Sequence, residues 1–77
     1  MKLSDAAEGQ VLIIKKVNGS GVIKQRLLDM GLGRGEKIYV ERYAPLRDPI
    51  QIRVKGYSLA LRVAEGKLIE VEEIFNG

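Results

Sequence analysis

Ser20-Gly21-Val22-Ile23-Lys24-Gln25-Arg26-Leu27-Leu28-Asp29-Met30-Gly31-Leu32-Gly33-Arg34-Gly35 is the stretch around which the chain is organised. Ile23, Leu27 and Met30 fall at i, i+4 and i+7, with Val22 and Leu28 widening the stripe, while Lys24, Gln25 and Asp29 point elsewhere. Ser20 stands where an N-cap belongs and its hydroxyl can accept a free N–H of the first turn, although Ile23 three positions on rules out a capping box. Gly31 can take the left-handed conformation that ends a helix, and Leu32 can fold back onto the last turn. A helix this short is marginal alone in water, so its apolar stripe is expected to lie on a sheet.

The rest of the chain reads as strand. Residues 10–17 form a β-branched run with Val11 and Ile13 on one face and Leu12 and Ile14 on the other, which calls for cover on both sides. The helix is expected to supply the second cover. Residues 36–43 alternate, with Ile38 and Val40 on one face and Lys37, Tyr39, Glu41 and Tyr43 on the other. Two prolines in residues 44–49 make a loop. Ile50, Ile52 and Val54 alternate again, Lys55-Gly56 reads as a tight hairpin turn, and Tyr57, Leu59, Leu61 and Val63 continue inward beside outward Ser58, Ala60 and Arg62. Residues 64–67 suit a single helical or 3₁₀ turn. Residues 68–74 close the fold with Ile69 and Val71 inward and Glu70 and Glu72 outward, and residues 73–77 are expected to fray. Before the first strand, residues 3–9 suit a short turn with Leu3 tucked beneath the sheet. This order predicts a mainly β, single domain over residues 1–77: a small SH3-like barrel of about five strands with one α-helix in the first long connection. Closure is expected because an open sheet this small leaves exposed edges.

Composition narrows the chemistry. There is no cysteine and no histidine, which removes disulfides, thiol chemistry, the commonest general base and the commonest transition-metal ligands. No cofactor is implied. No apolar run approaches the roughly 20 residues that span a bilayer, and Ser4 and Asp5 follow the start at once, so a cytoplasmic protein without membrane insertion is expected. The net charge of +3 is uneven: residues 1–64 carry +6 and the remainder −3.

Motifs that resemble functional sites have plainer readings. Gly31, Gly33 and Gly35 follow a helix instead of opening one, which is the wrong order for a dinucleotide loop. Gly19-Ser20-Gly21 opens a helix but lacks the remaining phosphate-loop residues. Glu70 and Glu72 share one side of a strand and read as a solvated face, with weak cation binding as the alternative. Ser20, Ser58, Tyr39, Tyr43 and Tyr57 have no histidine to activate them, so catalysis and a small-molecule substrate are not expected. Basic residues alternate with tyrosines between Lys37 and Tyr57, a pattern that suits single-stranded nucleic acid. Strand parity weighs against it, since Tyr39 and Tyr43 are read as facing opposite to Arg42. The same tyrosines and arginines suit a folded protein partner, and Leu46 between two prolines is expected to be an exposed apolar tip.

Taken together, Arg26-Leu27-Leu28-Asp29-Met30-Gly31-Leu32, Gly35-Glu36-Lys37-Ile38 with Val40, then Pro49, Ile52, Val54, Gly56 and Leu59-Ala60-Leu61-Arg62 running to Ile69 and Val71 resemble the FeoA family. The resemblance spans nearly the whole chain. It implies a small cytosolic accessory protein of bacterial ferrous iron uptake with an SH3-like fold, partnered by a FeoB-like membrane GTPase transporter, and a general association with transition metals. The expected role is a non-enzymatic interaction module that docks on the transporter and modulates it. Arg26, Tyr39, Tyr43, Leu46 and Arg47 are the expected contact residues, and no metal ligands are assigned. Two other readings remain: a nucleic-acid-binding domain using the basic face, and weak binding or sensing of a transition metal ion.

Overall fold

Alternating apolar residues and a left-handed hairpin turn set the register of the sheet. The computed structural model describes residues 1–74. Its strands are β1 (Val11–Val17), β2 (Lys37–Tyr43), β3 (Ile50–Val54), β4 (Tyr57–Leu61) and β5 (Ile69–Glu73), with α1 (Gly21–Asp29) between β1 and β2 and the one-turn α2 (Val63–Gly66) between β4 and β5. A 3₁₀ turn, Leu3–Asp5, precedes β1. Lys55 (φ 52°) and Gly56 (φ 81°) are both left-handed, as a two-residue hairpin turn requires, and they pair Val54 with Tyr57. Val63 belongs to α2 and not to the preceding strand.

All neighbouring strands are antiparallel, in the order β4-β3-β2-β1-β5. This is the expected SH3-like fold, with one correction: β4 and β5 do not pair, so the sheet stays open among the described residues. The far edge of β5 is covered by the chain's start, where Lys2 bridges Glu70 and the Val71 N–H donates to the Met1 carbonyl at 2.7 Å. Between β4 and β5, α2 packs so tightly that a Cβ on Gly66 would lie 3.1 Å from Ile50 Cδ1. Edges are managed here by cover as well as by pairing.

The core is made by Leu12, Ile14, Ile38, Val40, Ile50, Ile52, Val54, Leu61, Ile69 and Val71 of the sheet, sealed by Leu3, Leu27 and Leu32. Two bulges modify the alternation, one between Ile14 and Lys16 in β1 and one between Val40 and Arg42 in β2. An extra residue reverses the facing of everything after it. Tyr43, expected outward, therefore pairs with buried Ile50 and packs against the core, while Arg42 turns to the outer face. The predicted fraying does not hold for residues 73 and 74, because Glu73 pairs with Leu12 and the Ile74 N–H donates to the Val11 carbonyl at 2.9 Å. Residues 75–77, the rest of that expectation, lie outside the described residues.

The helix ends as predicted. Gly31 sits at φ 91° and the Leu32 N–H reaches back to the Leu27 carbonyl at 3.1 Å, while the Gly31 N–H bonds that of Leu28 at 3.0 Å. This paired return is a Schellman motif, and it drives Leu32 into the core. Its start differs: Ser20 has extended backbone at the N-cap, but its hydroxyl makes no capping bond. Burial differs more. Leu27 is fully buried and Met30 half-buried, yet Val22 is 86% and Ile23 39% exposed, and Leu28 also faces solvent. The helix makes no extended contact with any strand, so it does not roof β1, whose Val11 and Ile13 are half-buried. Its attachment lies at the C-terminal turn, where Leu27, the Gly31 return and the Tyr57 hydroxyl bonded to the Met30 carbonyl converge.

Candidate partner-docking surface

The loop after β2 is built around Tyr43. Its hydroxyl donates to the Ala6 carbonyl and its N–H donates to Glu8 Oε2 at 2.8 Å, tying the strand end to the N-terminal segment. Burial pushes the phenol's pKa up, against the pull of the nearby Arg47 cation. The Arg47 guanidinium lies 4.2 Å from the centre of the Tyr43 ring. Arg47 is left-handed (φ 65°), its N–H donates to the Ala44 carbonyl at 2.7 Å, and the Ala44 N–H closes the loop on the Pro49 carbonyl at 3.0 Å. This tight loop turns Leu46 outward with 91% of its surface exposed, as the flanking prolines suggest. Tyr43, Leu46 and Arg47 thus form one group.

A line of charges joins that group to the helix through α2. Asp48 Oδ1 accepts the Val63 N–H at 3.2 Å and faces Arg62 Nη1 at 3.6 Å. Glu65 Oε1 accepts the Arg62 N–H at 3.0 Å, and Glu65 Oε2 lies 3.2 Å from Arg26 Nη1. Glu65 is only 6% exposed, and its contact with Arg26 is an ion pair without a hydrogen bond. This buried carboxylate is the residue the sequence reading missed. Its available signal was its place three residues after Arg62, where an acidic side chain can reach back to the free N–H at the start of α2. Beyond Arg26, Val22 and Met30 border a shallow, mainly apolar depression on α1.

Tyr39 is not part of this band. It pairs with Arg53 on the outer face of β2, β3 and β4, where Glu41 accepts bonds from Ser58 Oγ (2.6 Å) and Gln51 Nε2 (3.2 Å) and faces Arg53 Nη2 at 3.4 Å. The Ser58 and Gln51 bonds, with Arg53, hold the Glu41 carboxyl below its ordinary pKa. The bulge at Glu41 overturns the parity argument used against nucleic acid, since Arg42, bonded to Gln51, now shares this outer face with Tyr39 and Arg53. It also removes Tyr43 from the face and leaves a carboxylate at its centre. One tyrosine is too little for a stacking platform. Glu70 and Glu72 are engaged separately, by Asn18 Nδ2 at 2.8 Å and Lys15 Nζ at 3.8 Å, and no cluster of three metal-ligating side chains occurs among the described residues.

A family model described as the FeoA domain matches residues 1–73. The chain belongs to the FeoA family. This FeoA domain is 42% identical over 74 residues to a Porphyromonas gingivalis protein named as a fusion of Fe(2+) transport protein A with the Fe(2+) transporter FeoB, covering 96% of the chain and 9% of that protein. The solution structure of iron(II) transport protein A from Clostridium thermocellum superposes with a TM-score of 0.92 at 39% identity, covering 96% of the chain and 46% of its own. The chain therefore spans less than half the length of either. Stenotrophomonas maltophilia FeoA complexed with zinc, described as a prokaryotic SH3 domain protein, superposes at 0.80 with 25% identity, over 94% of this chain and 89% of its own. The FeoA domain thus has the SH3-like fold.

Proposed function

We propose that this FeoA domain is a cytoplasmic, non-enzymatic module of ferrous iron uptake that docks on a FeoB-like membrane GTPase transporter and modulates it. The observation that carries this reading is the relative in which the same domain is joined to such a transporter in one polypeptide. Covalent linkage of two domains in one protein favours an interaction between their separate counterparts, because tethering only raises a local concentration that an existing contact can use. The chemistry of the chain agrees, since it has neither histidine nor cysteine with which to build a nucleophilic or metal-centred active site.

For the contact surface, the band from Leu46 and Arg47 across α2 to Arg26 and Val22 is the strongest candidate. Leu46 and Val22 are its two most exposed apolar side chains, and solvated apolar groups flanked by arginines are what a partner's surface covers. Tyr43 serves it from beneath, by seating Arg47. Tyr39 lies on another face and is not required. The test is capture of a detergent-solubilised FeoB-like transporter by the immobilised chain. Leu46→Asp and Arg47→Glu should each weaken capture at least tenfold, and Tyr39→Ala should leave it unchanged. Capture equal to wild type for both loop variants removes this surface, and no capture by the wild type removes the docking reading itself.

A further inference from the structure

α1 separates two surfaces. Opposite the face carrying Val22 and Arg26, Lys24 and Leu28 are one turn apart and look onto the second half of β1. There Lys15, Lys16, Val17, Lys24, Leu28 and Arg34 enclose an open groove of about 460 Å³. Its four cations come from β1, α1 and the loop after α1, and among the described residues no carboxylate lines it. The ion pairs among the described residues give these cations one counter-charge, Glu72, which lies 3.8 Å from Lys15 with both side chains exposed. Glu70, across the sheet from Lys16, is bonded to Asn18. Glu70 keeps its charge, because the amide it bonds is neutral, so two carboxylates flank the β1 side of the groove. The four cations outnumber them, in pairings that are weak in water.

We infer that this groove is an electrostatic contact with an anionic phospholipid surface. Three of the four cations are lysines, hydrated point charges on flexible stems, spread around a broad opening instead of converging in the planar fork that recognises a single carboxylate or phosphate. That layout suits the diffuse charge of headgroups. Among the described residues no aromatic side chain lines the groove, which disfavours nucleic acid for want of a stacking surface and a protein partner for want of an aromatic anchor. Leu28, 37% exposed, gives the rim an apolar contact beside the charges. The inference rests on the docking reading, which places the chain next to a membrane transporter. A second, weak attachment to the bilayer would then raise the effective concentration of the docking face.

Each cation near an anionic leaflet multiplies partitioning about fivefold, so four raise it on the order of 10³-fold over neutral lipid, a difference that flotation resolves at millimolar lipid. The experiment is flotation of the full chain with vesicles of phosphatidylcholine alone or mixed equally with phosphatidylglycerol, at low and high salt. Binding to the anionic vesicles alone, lost at high salt and reduced about 30-fold in Lys16→Gln/Lys24→Gln, is expected. The control Arg42→Gln/Arg53→Gln, which removes the same charge from the outer sheet face, should retain wild-type binding to within a few-fold. Absence of binding, equal binding to neutral vesicles, or equal loss in both double variants overturns the inference. So does a labelled single-stranded RNA that binds more tightly than the vesicles and is lost in the groove variant, which would make the groove a nucleic-acid site. Transporter capture in detergent, run in parallel on the groove variant, contains no bilayer. Its failure with wild-type chain counts against docking, and failure of flotation with capture intact counts against the lipid contact alone.

Discussion

Removing the Arg26 charge should cost more than its exposure suggests, and the cost should vanish once Glu65 is neutral. The arginine side chain is 62% exposed, and an ion pair between two such groups is worth about 0.2–1 kcal/mol. Its partner, however, is 7% exposed and has committed Oε1 to the Arg62 N–H, leaving Oε2 with Arg26 alone. Breaking a fully buried pair from one side costs about 3–5 kcal/mol, because the remaining charge is stranded. With one partner half in water, about 1–2 kcal/mol is the expected penalty for Arg26→Met. Glu65→Gln keeps the acceptor for the Arg62 N–H and should cost about 1 kcal/mol or less. In the double variant no charge is stranded, so its stability should match Glu65→Gln, and the cycle should return a coupling equal to the whole Arg26→Met penalty, about 1–2 kcal/mol. Urea unfolding of the four proteins at neutral pH measures this, and thermal melts should show Arg26→Met lowered by roughly 5–15 °C. Additivity to within about 0.3 kcal/mol would show that Glu65 is not held by Arg26 and that α1 is attached by Leu27, the Gly31 return and the Tyr57 bond alone.

Four further outcomes test the packing and the titrating groups. Leu27→Ala should lose about 2–5 kcal/mol in denaturant unfolding while Val22→Ala stays within about 0.5 kcal/mol, because only the first is buried. Gly66→Ala should lose about 1–3 kcal/mol, since its Cβ would press on Ile50 Cδ1 at 3.1 Å and on the Ser4 backbone nitrogen at 3.3 Å. Burial raises the Tyr43 phenol, so its contribution to stability is whole below its ordinary pKa of 10.0 and is lost as pH climbs through the raised value. Tyr43→Phe should flatten that alkaline decline, at the cost of about 1 kcal/mol at neutral pH for the hydrogen bond to Ala6. Ser58→Ala should move the Glu41 titration midpoint upward in carbon-detected NMR, because the Ser58 bond is the largest cause of its depression. Stability supplied by that depressed carboxylate is present above its ordinary pKa and falls away in acid, so the variant should also show a shallower acid decline.

Where a strand buries one face, its alternation is a direct record of the pleat. Residues 36–40 and 50–61 were accordingly legible down to which side chains face the core, except for Tyr57, expected inward but 45% exposed. Lys55-Gly56 declared its turn because two successive left-handed residues are so restricted in type. The helix end was equally readable from Gly31 and Leu32. The bulges in β1 and β2 were not readable. Their extra residues are ordinary polar ones, with no glycine to mark the site, yet one uncounted residue at Glu41 exchanges the facings of Arg42 and Tyr43. The expected contact set mixed two surfaces for that reason, placing Tyr39 and Tyr43 together when the bulge sets them on opposite faces. Glu65 was hidden by a different ambiguity. An acidic residue in a four-residue turn is usually solvated, and only the fold shows that it caps the turn and faces a helix from a distant part of the chain.

The helix raises the deeper question, because its apolar periodicity was read correctly and its burial was not. A period of 3.6 specifies which side chains share a face, but not how much of that face a neighbouring element reaches. Here the attachment is concentrated in one turn, through Leu27, the Schellman return and the Tyr57 bond to Met30, while the first turn has no side-chain cap and presents Val22 and Ile23 to water. Tilting α1 further onto the sheet would bury Ile23, which shares the side of Leu27, worth about 1.5–3 kcal/mol when fully covered, while Val22, on the face opposite the groove, would stay in water. It would also close the groove between Lys24, Leu28 and β1, bringing Lys24 toward Lys15 and Lys16 in a less hydrated space where like charges repel more strongly. Repulsion across the groove would oppose that tilt, and the outer face with Val22 is open to a partner in either position of α1.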